Sequence, residues 1–183
     1  MRRMLGWVWV ILVLGSSSAI AQVKWDLVTS TGSDHPVTKL YKEFAEDVAQ
    51  RTQGRLVITI RPDGELPIKA TEAFKATSSG RVALAQAYFS YLSGDVPLAT
   101  IAGLPFLVRS PSQLAQVYPI IERRIEGDLE RAGVKVLLWL SWPEVVVFGR
   151  GDPIREIADF IGRKVRVSDA KQATMISRLD GTP

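Results

Sequence analysis

The spacing of apolar residues changes period along the chain, and each period predicts an element. Lys24 to Thr29 (KWDLVT) reads as a first strand, running out into a polar loop from Ser30 to His35. Pro36 can stand in the first turn of a helix, where its missing N–H is no loss. From there Val37, Leu40, Tyr41, Phe44, Ala45 and Val48 recur at helical spacing, which predicts an amphipathic helix to about Thr52, ended by Gly54. Leu56 to Arg61 (LVITIR) is β-branched and alternating, a second strand closed by Pro62-Asp63-Gly64. A second helix is predicted over Ala70 to Ser79, and a short apolar strand over Arg81 to Ala87. Ser110-Pro111 opens a long helix to about Ala132, with Ser110 as its N-cap and Gly133 beyond its end. Val134 to Leu140, Val145 to Phe148 and Lys164 to Val167 read as further strands, and Ala170 to Leu179 as a last helix. Strands alternating with helices predict an α/β fold with a largely parallel sheet.

The amino terminus follows another pattern. Arg2 and Arg3 precede ten uncharged residues, Leu5 to Leu14; Gly15 to Ser18 then break the run before Ala19-Ile20-Ala21. As a helix such a run rises about 15 Å, half of a hydrocarbon core of about 30 Å. The pattern predicts a cleavable signal peptide over residues 1–21, and hence export to the periplasm. Cleavage after Ala21 lowers the formal charge from +4 to +2, so the basic balance is no sign of a nucleic-acid partner.

Composition then narrows the chemistry. The chain has 183 residues, 46% of them apolar, with no Cys and one His. The apolar fraction excludes a disordered chain, and the missing Cys excludes disulfides, thiolate zinc sites and a cysteine nucleophile. With only His35 available, a His-based triad is nearly excluded, as is a multi-histidine metal site, and no Gly-x-Ser-x-Gly elbow is present. His35 itself reads as a cap or turn residue ahead of the first helix. Glu122 to Glu130 reads as a solvated, charge-mixed helical face.

In a parallel sheet, ligands bind beyond the carboxyl ends of the strands. The residues there are Ser30-Thr31-Gly32, the cluster Tyr88 to Tyr91, Trp142, and Ser168-Asp169 with Arg166. The set holds aromatics, hydroxyls and a guanidinium but no general base, which suits holding a ligand rather than transforming one. No cofactor and no metal is implied. Alternation places Arg166 on the face opposite Val165 and Val167, where its planar fork could take a carboxylate, or where it could be a solvated edge arginine.

Four phrases, in order, resemble the substrate-binding subunit of tripartite ATP-independent periplasmic (TRAP) transporters, the DctP-type family. They are Thr52-Gln53-Gly54-Arg55-Leu56-Val57-Ile58 with Pro62-Asp63-Gly64-Glu65-Leu66; Ser79-Gly80-Arg81-Val82 with Leu104-Pro105-Phe106-Leu107; Pro153 to Asp159 running into Gly162-Arg163-Lys164-Val165-Arg166-Val167; and Gly181-Thr182-Pro183. The resemblance implies a two-lobed, periplasmic-binding-protein-like (type II-like) receptor, not an enzyme. Such a receptor closes over a small carboxylate and delivers it to small and large TRAP membrane subunits. It implies that Arg166 pairs the carboxylate and that Asp169 is a further polar contact. Ser30, Tyr88, Tyr91 and Trp142 would lie on ligand-facing loops, with Lys69 near another. Lobe one would span residues 22–147, and lobe two would only begin over residues 148–183.

Two departures bear on specificity and one on extent. Val82-Ala83 replaces a Val-Asp pair, and the apolar Val146 stands where some members carry a second arginine, which argues against sialic-acid-like ligands. The family's chains are about twice as long. The alternatives are a truncated, non-functional piece of such a receptor, the receptor of another uptake or sensor system, and an exported hydrolase, which the composition disfavours.

Overall fold

The computed structural model describes residues 21–104, 107–108, 110–142 and 146–183. The predicted signal segment, apart from Ala21, lies outside these residues, as do Pro105, Phe106 and Val145 of the predicted motifs.

Three parallel strands form the sheet. Strand β1 (Val23–Val28) lies in the middle, β2 (Leu56–Arg61) pairs along one edge from Val23↔Leu56 to Val28↔Arg61, and β3 (Leu84–Ala85) pairs along the other at Leu27↔Leu84 and Val28↔Ala85. Helix α1 (Pro36–Arg51) connects β1 to β2 and covers one face, packing Tyr41 and Ala45 on Leu27 and Ile58. Helix α2 (Ala73–Ser78) covers the other face, where Ala76 joins Val28, Ile68 and Val82. The alternation of Leu27 and Val28 decides which core each enters, because successive strand residues point to opposite faces.

A second packing centre forms around helix α3 (Pro111–Arg131). Ile125 and Leu129 on its inner face bury against Phe74, Leu92, Val96 and Ala99. Ser110 caps this helix, its Oγ accepting from the Gln113 N–H at 3.2 Å, and the helix runs on through Pro119. After Gly133 (φ 79°) the chain passes over this core, with Val134, Val136 and Trp139 packed on it. The helical face from Glu122 to Glu130 is less solvated than its charges suggest: Glu126 accepts from the indole N–H of Trp139 at 3.0 Å, and burial raises the Glu122 carboxyl above its ordinary range.

Several strands expected from local pattern do not form ladders. The predicted strand over 81–87 shortens to two residues, and 134–140 and 146–148 form no strand. The stretch 164–167 makes a single parallel bridge, Lys164↔Thr182. The reason is physical: β-branched residues favour extended backbone, but a ladder needs a second backbone alongside. The predicted helix over 70–79 divides into a 3-10 turn (Ala70–Glu72) and α2. Two further 3-10 stretches, Phe89–Leu92 and Pro97–Gly103, lead towards α3. The chain ends in helix α4 (Ala170–Arg178), preceded by a 3-10 turn (Ile157–Phe160) where Asp159 accepts from the Arg155 and Glu156 N–H groups. Those two bonds lower the Asp159 pKa.

Candidate functional site

The neighbouring strands β1 and β3 lead away from the sheet by different routes, β1 into α1 and β3 into the Phe89–Leu92 turn. Crevices of this kind, at the carboxyl ends of parallel strands, are where such sheets take ligands. Its floor is polar and closely bonded. The Thr29 hydroxyl donates to Gln86 Oε1 at 2.7 Å, and the hydroxyl pairs Thr29–Thr31 and Thr31–Thr38 follow at 2.8 and 2.7 Å. All three threonines are buried. Gln86 extends β3 by donating its backbone N–H to the Val28 carbonyl at 2.8 Å, and its Oε1 also accepts longer contacts from the Ser30 N–H and hydroxyl. Its Nε2 is buried and meets no acceptor among the described residues.

One wall is aromatic. The Tyr88 and Trp142 rings lie 5.3 Å apart between centroids, Tyr88 meets Tyr91 edge-on at 5.6 Å, and His35 lies 5.7 Å from Trp142. Three segments far apart in sequence therefore converge on one patch, which holds apolar surface together with polar tips. Behind it, burial first and then the Tyr88 hydroxyl raise the Tyr41 pKa.

The sequence-derived candidates thus divide. Tyr88, Tyr91 and Trp142 meet, and Ser30 contacts Gln86. Among the described residues, Arg166, Asp169 and Lys69 share no hydrogen bond, ion pair or ring contact with that patch. Arg166 is exposed and forms no hydrogen bond or ion pair with a described residue, and its side chain alternates with the half-buried Val165 and Val167. Asp169 is the N-cap of α4, its Oδ1 accepting from the Lys171 and Gln172 N–H groups at 2.8 and 2.9 Å. Lys171 reaches back to Thr100 Oγ1 at 2.5 Å, so the start of α4 touches the Pro97–Gly103 turn. Lys69 is exposed, and its backbone N–H donates to Glu72. Gln86 and the position of His35 beside Trp142 escaped the sequence reading. A lone amide inside RVALAQA was the only signal for Gln86, and His35 gave none beyond its cap position. Among the described residues no cluster of acidic or imidazole groups could hold a metal.

The family model for bacterial extracellular solute-binding proteins, family 7 (DctP), matches residues 27–183. The chain belongs to this family. A solute-binding protein from Albidiferax ferrireducens is similar to this family 7 chain at 30% identity over 132 residues, covering 70% of this chain and 38% of that protein. A TRAP periplasmic solute-binding protein from Chromohalobacter salexigens, solved with bound D-glucuronate, shares 26% identity with a TM-score of 0.78, covering 86% of this chain and 53% of that one. A Bordetella pertussis extracytoplasmic solute receptor binding pyroglutamic acid has the same fold, with a TM-score of 0.79 at 23% identity over 88% of this chain and 53% of its own. The family 7 chain spans less than half of the curated relative and about half of each solved one. The expected periplasmic-binding-protein-like α/β fold is thereby shown for the part of those chains that this one covers. No helix among the described residues is long and apolar enough to cross a membrane.

Proposed function

We propose that this chain is a portion of a TRAP transporter's solute-binding subunit and takes a small organic acid in the crevice between β1 and β3. Residues 22–147 supply most of one lobe and residues 148–183 open the other. Residues 1–21 direct export to the periplasm, and the receptor hands its ligand to the membrane subunits without chemical change. The family match over residues 27–183 carries the reading, and the exposed Arg166, which pairs with no described residue, gives it a chemical focus. Arg166 pairs the ligand's carboxylate through its planar fork of donors, while the Tyr88–Trp142 wall takes the body of the ligand and Ser30 a polar group. Tyr91, Asp169 and Lys69 supply the rim. Closure excludes water, and within a closed site the ion pair is strong because each charge satisfies the other.

Calorimetry with D-glucuronate and pyroglutamate tests this reading, since relatives bind these acids. Binding of one of them is expected, and Arg166→Gln should weaken it by about 3–5 kcal/mol, the cost of leaving a buried carboxylate without its partner. Unchanged affinity in the variant would overturn the role of Arg166.

A second reading, favoured by the exposure of Phe148 (91%) and Ile157 (70%), is that residues 22–183 fold without closing over a ligand. A cooperative melt with no heat of binding to any acid would select it.

A further inference from the structure

We propose that His35 is a ligand-binding residue of this crevice. It offers the N–H of an imidazole whose tautomer the fold has set, and it selects acids with a cyclic body that carries a hydrogen-bond acceptor away from the carboxylate. The proposal rests on the carboxylate-binding reading above. It begins with the helix cap: His35 precedes α1, and its Nδ1 accepts from the Val37 N–H at 3.2 Å. A ring nitrogen that accepts a hydrogen bond carries no proton, so in the neutral ring the proton is on Nε2. That Nε2–H bonds to no described residue.

Its surroundings give this donor a purpose. The imidazole is half-buried and stands beside Trp142, which in turn packs on Tyr88. The aromatic wall therefore has an imidazole beside it, 5.7 Å from the Trp142 ring. Flat or cyclic bodies pack on aromatic faces, and a donor held in a partly dry wall strongly favours an acceptor over an isosteric apolar group, because the mismatch leaves it unpaired. The carboxylate itself is assigned to Arg166, so the acceptor for His35 is a second group on the ligand. A bare cap would need none of this convergence: the capping bond uses one nitrogen and leaves the wall unexplained.

The chain has one histidine, so 15N-histidine labelling of the full chain gives a single imidazole to follow. The free protein should show the Nε2–H tautomer. The probes are two near-isosteric acids, 4-oxocyclohexanecarboxylate and 4-methylenecyclohexanecarboxylate, which differ in a carbonyl oxygen against a methylene. The oxo acid should bind about tenfold more tightly and shift the His35 Nε2–H resonance, as one hydrogen bond to a neutral acceptor permits. His35→Asn keeps a good N-cap acceptor, so its melting temperature should hold while the preference falls to about twofold or less. An Nδ1–H tautomer, equal affinity for the two acids, or a preference that survives His35→Asn would overturn the proposal. Arg166-dependent binding of D-glucuronate with a silent His35 resonance would overturn it alone. If no acid binds, the carboxylate reading fails and this proposal with it.

Discussion

Thr38 shows what a single residue contributes here. It is fully buried in the first turn of α1, and its hydroxyl meets Thr31 Oγ1 at 2.7 Å. Because Thr31 in turn meets Thr29, and Thr29 donates to Gln86, one hydroxyl chain ties α1 to the ends of β1 and β3. Replacing its first member removes one hydrogen bond from Thr31, whose hydroxyl keeps its bond to Thr29, so the loss is that of an ordinary buried hydrogen bond. Thr38→Val is therefore expected to destabilise the fold by about 0.5–1.5 kcal/mol. In urea the midpoint should fall with an unchanged slope, and Thr38→Ser should recover most of the loss. A neutral Thr38→Val would mean that the network forms no part of the stability of this crevice.

At the level of elements, the closing turn after α4 is the tightest piece of the chain. The Gly181 N–H donates to the Ile176 carbonyl, Gly162 to Asp180, and Thr182 to Arg163, which together draw 160–165 against 180–182. The close approach requires glycine at 181: a Cβ there would lie 2.9 Å from Ile176 Cγ2 and 3.2 Å from the Phe160 carbonyl oxygen. Ile176 is itself buried, so it has little room to yield. Gly181→Ala should cost about 1–3 kcal/mol, the usual penalty for forcing extra volume into a packed site. Amide hydrogen exchange should show the loss locally, with faster exchange at Val165 and Thr182 and little change in β1. Uniform exchange across both regions would contradict the clash.

Across the whole molecule the apolar surface is unevenly distributed. The carboxyl half of the sheet, around Leu27, Val28 and Ile58, and the inner side of α3 are well covered, whereas Leu137, Leu138, Val146, Val147, Phe148, Ile157 and Ile161 are exposed. Contiguous apolar exposure of this kind promotes association. With Phe148 at 91% exposure, Phe148→Asp should leave stability within about 0.5 kcal/mol, as surface changes do, while reducing binding of a hydrophobic dye and self-association. A large drop in melting temperature would show instead that Phe148 is covered in solution.

Much of this protein was determined by its sequence alone. The periods of apolar residues specified β1, α1, β2 and α3 almost to the residue, because these elements depend on local spacing and on caps such as Pro36, Ser110 and Gly133. The family was legible in four short phrases for the same reason: turns and glycine positions are local. Of the site, the aromatic residues were legible as strand-end residues, but their meeting was not. Only the tertiary structure brought Trp142 onto Tyr88 and His35, and only it placed the Gln86 amide among buried threonines. It also decided that 134–140 and 146–148 are not strands. Helices and caps satisfy their hydrogen bonds within a few residues, whereas ladders and convergent walls need partners that a local pattern does not encode.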